Sequence, residues 1–146
     1  MTDWDSRFLE MAQVVSTWSK DPKKKIGCVV INENRQILST GYNGFPRGIA
    51  DIPERYNDKE TKHKYVVHAE MNAIYNASCN GVSLKNSVFY VYGLPVCSEC
   101  AKGIIQAGVQ KVIICADTDI SEKWKESWNI TKSLFNEAGI ECEFIL

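Results

Sequence analysis

The sequence predicts an α/β fold in which helices cover both faces of a mixed five-stranded sheet, a three-layer α/β/α sandwich. Two apolar strand patterns in the first third are joined by the turn-forming run 32–35, which is typical of a hairpin. From about residue 68 onward helical and strand patterns alternate, and strands separated by helices imply parallel crossovers. With 146 residues, the chain is long enough for one core, so we expect a single domain over residues 1–146.

The elements follow from periodicity and from their terminating residues. Asp3 can cap an opening helix that ends at Asp21-Pro22, because the residue before proline avoids the helical region. The predicted strands are 26–32, 37–42, 87–92, 111–116 and 141–146, and the later predicted helices are 68–79, 97–107 and 122–137. The polar stretch 43–62 is predicted to be a long loop, and loops of that length are usually functional or disordered.

Two short motifs point to one zinc ion. His68-Ala69-Glu70 and Cys97-Ser98-Glu99-Cys100 each stand where a strand or loop enters a predicted helix. Imidazole nitrogen and thiolate sulfur are zinc ligands, and His68, Cys97 and Cys100 would leave the fourth tetrahedral position open for water. A helix N-terminus also lowers the pKa of a thiol toward the thiolate that zinc requires. We therefore predict a catalytic zinc site between two helix N-termini, with Glu70 moving protons.

The two motifs are also compatible with redox chemistry or with a purely structural metal. The pair Cys97 and Cys100 could be a redox pair, although a thioredoxin-like pair is expected early, after the first strand. A non-enzymatic zinc module that binds a partner would need a fourth protein ligand, and only His63 or another cysteine could supply it. The same residues could build a second, structural zinc site.

Composition narrows the function classes. The net charge of −1 gives no overall attraction to nucleic acid or to a membrane surface. The first residues lack the basic and apolar regions of a secretory signal, and no apolar run approaches the length of a membrane span. The other four cysteines are assigned to structure, namely Cys28, Cys79, Cys115 and Cys142. We expect a reducing, cytoplasmic location, with neither nucleic acid nor membrane as a partner.

The chain resembles the deoxycytidylate (dCMP) deaminases of the zinc-dependent cytidine deaminase-like superfamily. His-x-Glu followed by Cys-x-x-Cys is shared across zinc deaminases, whereas the segments 18–22 (Trp-Ser-Lys-Asp-Pro) and 41–48 (Gly-Tyr-Asn-Gly-Phe-Pro-Arg-Gly) resemble this family in particular. The similarity runs from about Trp4 to Ile140. One departure is the proline that usually precedes the first cysteine, because Val96 stands there and the proline is Pro95.

The resemblance implies zinc-dependent hydrolysis of dCMP to dUMP and ammonia, which supplies thymidylate synthesis. Glu70 would carry the protons, Ala69 would offer its backbone N–H, and Asn43 is the candidate for holding the deoxyribose. The phosphate needs a cation, and the resemblance favours Ser19 and Lys20. Further lysines and an arginine are also candidates for the phosphate, namely Lys23, Lys24, Lys25 and Arg47.

The resemblance further implies homohexamers that Mg²⁺-bound dCTP activates and dTTP inhibits. The candidate effector residues are Gly41, Tyr42, Gly44, Phe45 and Arg47. The aromatic, charged segment 123–128 departs from some relatives of the family. Its Trp124 and Trp128 are four residues apart, and we expect them to cover either core or a subunit interface.

Two related enzyme classes fit the sequence less well. A tRNA adenosine deaminase shares both zinc motifs, but it usually needs a broad basic surface for its polyanionic substrate. A free cytidine deaminase normally has cysteine where His68 stands.

Overall fold

In the computed structural model, which describes residues 2–117 and 119–145, five strands form one mixed sheet. The strands are β1 (Gly27–Ile31), β2 (Ile37–Tyr42), β3 (Val88–Gly93), β4 (Lys111–Ala116) and β5 (Glu141–Ile145). They are ordered β2-β1-β3-β4-β5, with β1 antiparallel to both neighbours and β3, β4 and β5 mutually parallel. The predicted mixed sheet is confirmed; Leu146, the predicted end of the last strand, lies outside the described residues.

Helices cover both faces of this sheet. They are α1 (Asp3–Ser16), α2 (Pro53–Asn57), α3 (Lys59–Tyr65), α4 (Ala69–Cys79), α5 (Ser98–Gln106) and α6 (Glu122–Ala138). One face is covered by α1, whose Phe8, Leu9 and Ala12 pack on β1 and β3. The other is covered by α4, α5 and α6. The predicted three-layer sandwich is therefore confirmed. No helix among the described residues has the length and hydrophobicity that a membrane span requires.

Three predicted details are wrong. Helix α1 ends at Ser16, before the predicted end at Asp21-Pro22. The cap of α1 is Thr2 rather than Asp3, because the Thr2 hydroxyl accepts a hydrogen bond from the Asp5 N–H while the Asp5 carboxylate accepts one from the Thr2 N–H. The stretch 43–62, predicted to be a loop, contains α2 and most of α3. Pro53 begins α2 and the Asp58 side chain caps α3. These short helices matter because α3 carries two residues to the candidate site.

The contact of α4 with β2 depends on Gly41, a residue that has no side chain. A Cβ atom built on Gly41 would overlap the carbonyl oxygen of Ala69 and the nitrogen of Ala73, and it would lie 3.0 Å from the Ala73 Cα. Because these neighbours are backbone atoms of a packed helix, they cannot move aside cheaply. Gly41, a candidate effector residue by resemblance, thus has a packing role that sets the position of α4.

We expect Gly41→Ala to lower the free energy of unfolding by about 2 kcal/mol or more, because overpacking pushes α4 away from the sheet. Gly44→Ala is the matched control, since a Cβ there would meet its nearest neighbour, the Tyr56 hydroxyl, at 3.8 Å. The control should change stability by less than about 1 kcal/mol. Urea denaturation of the three proteins measures both values, and equal stability of the two variants would contradict the packing argument.

Candidate active site

Three side chains with metal-ligating atoms meet at the start of two helices. His68 is the N-cap residue of α4 and Cys97 is the N-cap residue of α5, with Cys100 in the first turn of α5. The His68 Nδ1 atom lies 3.4 Å from the sulfur of each cysteine. All three ligand atoms are within 4.8 Å of one another, and no second cluster of three such groups occurs within residues 2–117 and 119–145. This geometry can hold one metal ion.

Hydrogen bonds within this cluster shift the pKa values of its three members in different directions. A hydrogen bond from the Cys100 thiol, with further ones from His68 and from the Cys100 backbone N–H, lowers the pKa of Cys97 although burial opposes ionisation. The same pairing, reinforced by burial, raises the pKa of Cys100. The hydrogen bond with Cys97 raises the pKa of His68. One imidazole and two sulfurs form the donor set of a zinc site that keeps a ligand position open, so the residues fit zinc.

Glu70 is a buried carboxyl group beside these ligands. It occupies the second position of α4, and its side chain is 4% exposed. Burial raises its pKa to about 7, although the neighbouring His68 acts in the opposite direction. A carboxyl group with this pKa can both accept and donate a proton near neutral pH.

The Glu70 side chain lines a solvent-open cleft of ≈ 600 Å³. It is formed where chain segments meet at one edge of the sheet: the segment before β1, the residue after β2 and the loop after β3. Its lining residues are Asp21, Lys24, Ile26, Asn43, Lys62, His63, Val66, His68, Ala69, Glu70, Leu94, Pro95 and Trp124. The cleft therefore combines His68 and Glu70 with an apolar wall and several cationic or ionisable side chains, whereas Cys97 and Cys100 are not among its lining residues.

A buried ion pair organises the cationic part of the cleft. Lys62 Nζ lies 2.7 Å from an Asp21 carboxylate oxygen, with the two side chains 17% and 3% exposed. The other Asp21 oxygen accepts hydrogen bonds from the backbone N–H groups of Lys23, at 2.9 Å, and Lys24, at 3.4 Å. Asp21 thus ties α3 to the turn before β1 and largely balances the charge of Lys62. Among the described residues, Lys24 has no carboxylate at ion-pair distance.

The structure brings only some of the predicted substrate-binding residues into the cleft. Asn43 and Ala69 line it, whereas Ser19 and Lys20 do not. The Ser19 hydroxyl is buried and donates a 2.8 Å hydrogen bond to the Asn43 carbonyl oxygen. Lys20 is an exposed side chain whose Nζ lies 3.4 Å from Asp51.

Asn43 is held rigidly at the junction of β2 with the cleft. Its Oδ1 accepts a hydrogen bond from the Ile26 N–H and its Nδ2 donates to the Lys24 carbonyl oxygen, both at 2.9 Å. An amide group has a further lone pair and a further N–H, so both polar atoms can still bind a ligand.

The predicted effector segment lines a neighbouring, separate cleft of ≈ 900 Å³. Its lining residues are Tyr42, Gly44, Phe45, Pro46, Arg47, Val67, Asn72, Tyr75 and Asn76. Phe45 stacks on Tyr56 with ring centroids 4.2 Å apart, and the Arg47 guanidinium donates to the Asn76 side-chain oxygen. Of the five candidate effector residues, Gly41 alone is absent from this lining because it packs against α4.

Sequence reasoning missed several residues of the zinc-motif cleft. Lys62 lies in a stretch predicted to be a loop, and only its charge and its proximity to His68 in the sequence mark it. His63 directly follows and the sequence marks it only as an additional zinc ligand, but it is not part of the cluster of three metal-ligating groups. Trp124, predicted to cover either core or a subunit interface, packs against the core and also lines the cleft. Its indole N–H donates to the Pro95 carbonyl oxygen at 2.9 Å, and its ring centroid lies 6.1 Å from that of His68. Trp128 instead packs against Phe144.

Comparison with known proteins agrees with this geometry. The model of the family described as "cytidine and deoxycytidylate deaminase zinc-binding region" matches residues 2–116. The chain belongs to this family. It is 44% identical to a probable deoxycytidylate deaminase of Caenorhabditis elegans, over 96% of this chain and 68% of the relative. It is 39% identical to the deoxycytidylate deaminase of Homo sapiens, over 94% and 77%.

Solved structures of this family share the fold. The crystal structure of a dCMP deaminase from the cyanophage S-TIM5, in apo form, superposes with a TM-score of 0.76 at 26% identity. The alignment covers 99% of this chain and all of that chain. The α/β fold of this chain thus matches the fold of that dCMP deaminase.

Proposed function

We propose that this protein is a single-domain deaminase that hydrolyses dCMP to dUMP and ammonia, thereby supplying the precursor of thymidylate. The observation that carries the proposal is one cleft lined by His68, by a buried Glu70 and by cationic side chains that can bind a phosphate. The ligand atoms of Cys97 and Cys100 lie within 4.8 Å of that of His68. The similarity to deoxycytidylate deaminases over almost the whole chain supports dCMP as the substrate.

His68, Cys97 and Cys100 would hold the zinc ion. When bound there, zinc supplies Lewis-acid activation of water, lowering its pKa to about 7. Glu70 accepts a proton from the water that attacks C4 of cytosine and delivers it to N3. It then carries a second proton from the attacking oxygen to the amino group, which leaves as ammonia. The pKa of about 7 suits both transfers.

The remaining cleft residues would position the substrate. Ala69 begins α4, where first-turn N–H groups have no partner within the helix and can donate to the base. Asn43 holds the deoxyribose with its remaining hydrogen-bonding capacity, and Ser19 supports Asn43 from behind. Lys24, together with His63, takes the phosphate, since Lys62 is largely balanced by Asp21. Lys20 would need to leave Asp51 to reach the same phosphate.

A cytoplasmic location suits this assignment. All six cysteines are free thiols in the structure, and two of them are the proposed ligands. A reducing compartment preserves such ligands as thiols and thiolates.

Glu70→Gln should reduce the turnover of dCMP by about 10²–10⁴-fold, because glutamine cannot carry protons. It should still bind one zinc ion per chain, since Glu70 is not among the proposed ligands. Loss of ultraviolet absorbance of dCMP measures turnover, and atomic emission measures zinc. A variant that keeps full activity would contradict the proton-transfer role. A zinc-loaded wild-type protein that leaves dCMP unchanged would reject the proposed substrate and lead to tests of other nucleobases and of the partner-binding alternative.

Lys24→Gln should raise the KM for dCMP about ten-fold, because it removes a charge-assisted contact with the phosphate. The KM for deoxycytidine, which has no phosphate, should not change. Lys20→Gln is the matched control on an exposed lysine that does not line the cleft. Steady-state kinetics with both substrates separates the alternatives, since a selective loss for dCMP in Lys20→Gln alone would assign the phosphate to Lys20.

We also propose that the protein forms a homohexamer and that nucleotides regulate it at the neighbouring cleft. This cleft is lined by Tyr42, Gly44, Phe45 and Arg47, and Gly41 sets the position of α4. Arg47 offers a cation to a triphosphate, and Mg²⁺ would accompany dCTP; dTTP would compete as the inhibitor. Two exposed aromatic side chains beside this region, Trp18 and Tyr42, are 55% and 40% exposed and contact each other edge to face. Such a surface suits burial between subunits.

Mg²⁺-bound dCTP should raise, and dTTP should lower, the rate of dCMP deamination at subsaturating substrate. Arg47→Ala should bring the ratio of rates with and without dCTP close to one, because it removes a cation from the proposed effector site. Arg7→Ala, whose guanidinium lies 4.5 Å from the Trp4 ring in wild type, is the control and should keep the ratio. If neither nucleotide changes the wild-type rate, the regulation is rejected and the deaminase assignment stands.

A further inference from the structure

Helix α6 is hydrogen-bonded to the backbone on both sides of Cys97. The Trp124 indole donates to the Pro95 carbonyl oxygen at 2.9 Å, the Thr131 hydroxyl donates to the Val96 carbonyl oxygen at 2.8 Å, and the Ser127 hydroxyl accepts from the Ser98 N–H at 2.8 Å. A second contact joins the Ser127 and Ser98 hydroxyls at 3.2 Å. Three side chains of one helix thus bind three backbone groups that flank Cys97.

These three side chains occupy one face of α6. Residues 124, 127 and 131 are spaced three and four apart, so they lie in a row along the helix. Each member of the row binds a backbone group in the segment 95–98. Thr131 and Val96 are both fully buried, so water cannot replace the hydroxyl as a donor to that carbonyl group.

The loop between β3 and α5 packs into the core through Val96, but few other hydrogen bonds hold its backbone. Pro95 has no backbone N–H, and no backbone N–H among the described residues donates to the carbonyl oxygens of Pro95 or Val96. Val96 also stands where the resemblance to zinc deaminases leads us to expect proline, whose ring would stiffen the chain just before Cys97. In this chain the Thr131 hydroxyl fixes the carbonyl group of that residue instead.

We propose that α6 positions the zinc ligand Cys97 through Trp124, Ser127 and Thr131. The row holds the loop in the conformation in which the Cys97 sulfur meets His68 Nδ1 at 3.4 Å. Trp124 additionally lines the substrate cleft, so the same row links the cleft wall to the ligand loop. These are positioning residues, and the inference rests on the zinc site of the proposed function.

The test measures zinc release from the zinc-loaded protein with a chromophoric chelator in excess. Thr131→Val keeps the shape of the side chain but removes the hydroxyl, and Ser127→Ala removes the second contact. We expect zinc release to be about ten-fold faster in each variant, the size of effect found for groups that orient metal ligands. Thr131→Ser keeps the hydroxyl and should restore the slow release. Ser133→Ala, an exposed hydroxyl on the same helix, should release zinc at the wild-type rate.

A second readout separates ligand positioning from general loss of stability. In the cobalt-substituted protein, the thiolate-to-metal absorption band should shift in Thr131→Val and stay unchanged in Ser133→Ala.

Wild-type release rates and spectra in both Thr131→Val and Ser127→Ala would overturn the inference. If Thr131→Val does not fold, Ser127→Ala alone decides. A wild-type protein that binds no zinc would overturn it together with the proposed metal site. A protein that binds zinc without deaminating dCMP would reject only the substrate, and the release rates would still test α6.

Discussion

The active-site cleft depends on the convergence of two helix N-termini at one edge of the sheet. His68 caps α4 and Cys97 caps α5, and they meet only because α4 packs directly against β2 and α5. Gly41 permits that close approach, since any side chain at this position would displace the α4 backbone. The helix termini also supply partial positive charge and unpaired N–H groups, which favour a thiolate and a polar substrate in the same place. The positions of the candidate metal ligands therefore depend on how closely these backbone segments pack.

Burial gives the two ends of the cleft different chemistry. At the metal end, the nearly complete burial of Glu70 raises its pKa to about 7, which makes the carboxyl group a proton carrier instead of a permanent anion. At the other end, Asp21 remains a buried acceptor because Lys62 and two backbone N–H groups surround it. Its negative charge holds the turn before β1 and leaves Lys24 available to an anion. Under the proposed function, the neutral base would bind at the first end of the cleft and the charged phosphate at the second.

The sequence allowed the sheet, the three layers and the candidate metal ligands to be predicted because each depends on local signals. Strand periodicity located β2 and β4 to the residue, and the His-x-Glu and Cys-x-x-Cys spacing marks residues that function within one helical turn. The cationic end of the cleft was not predictable in the same way. Lys20 and Lys24 are four residues apart in a lysine-rich segment, and only the tertiary structure shows that Lys24 lines the cleft while Lys20 lies near Asp51. The place of Trp124 in the cleft wall could not be predicted either, since its hydrogen-bond partner Pro95 is distant in sequence.

The two clefts are separated by a single layer of backbone, which gives a physical route for communication between them. Gly44 and Val67 form an isolated antiparallel bridge, with N–H···O distances of 3.1 and 2.8 Å. The residue before each of them, Asn43 and Val66, lines the zinc-motif cleft, whereas Gly44 and Val67 themselves line the neighbouring cleft. A ligand that moves this bridge from one side must shift side chains on the other side. Because Val67 directly precedes His68, such a shift would reach the metal ligands without crossing the sheet.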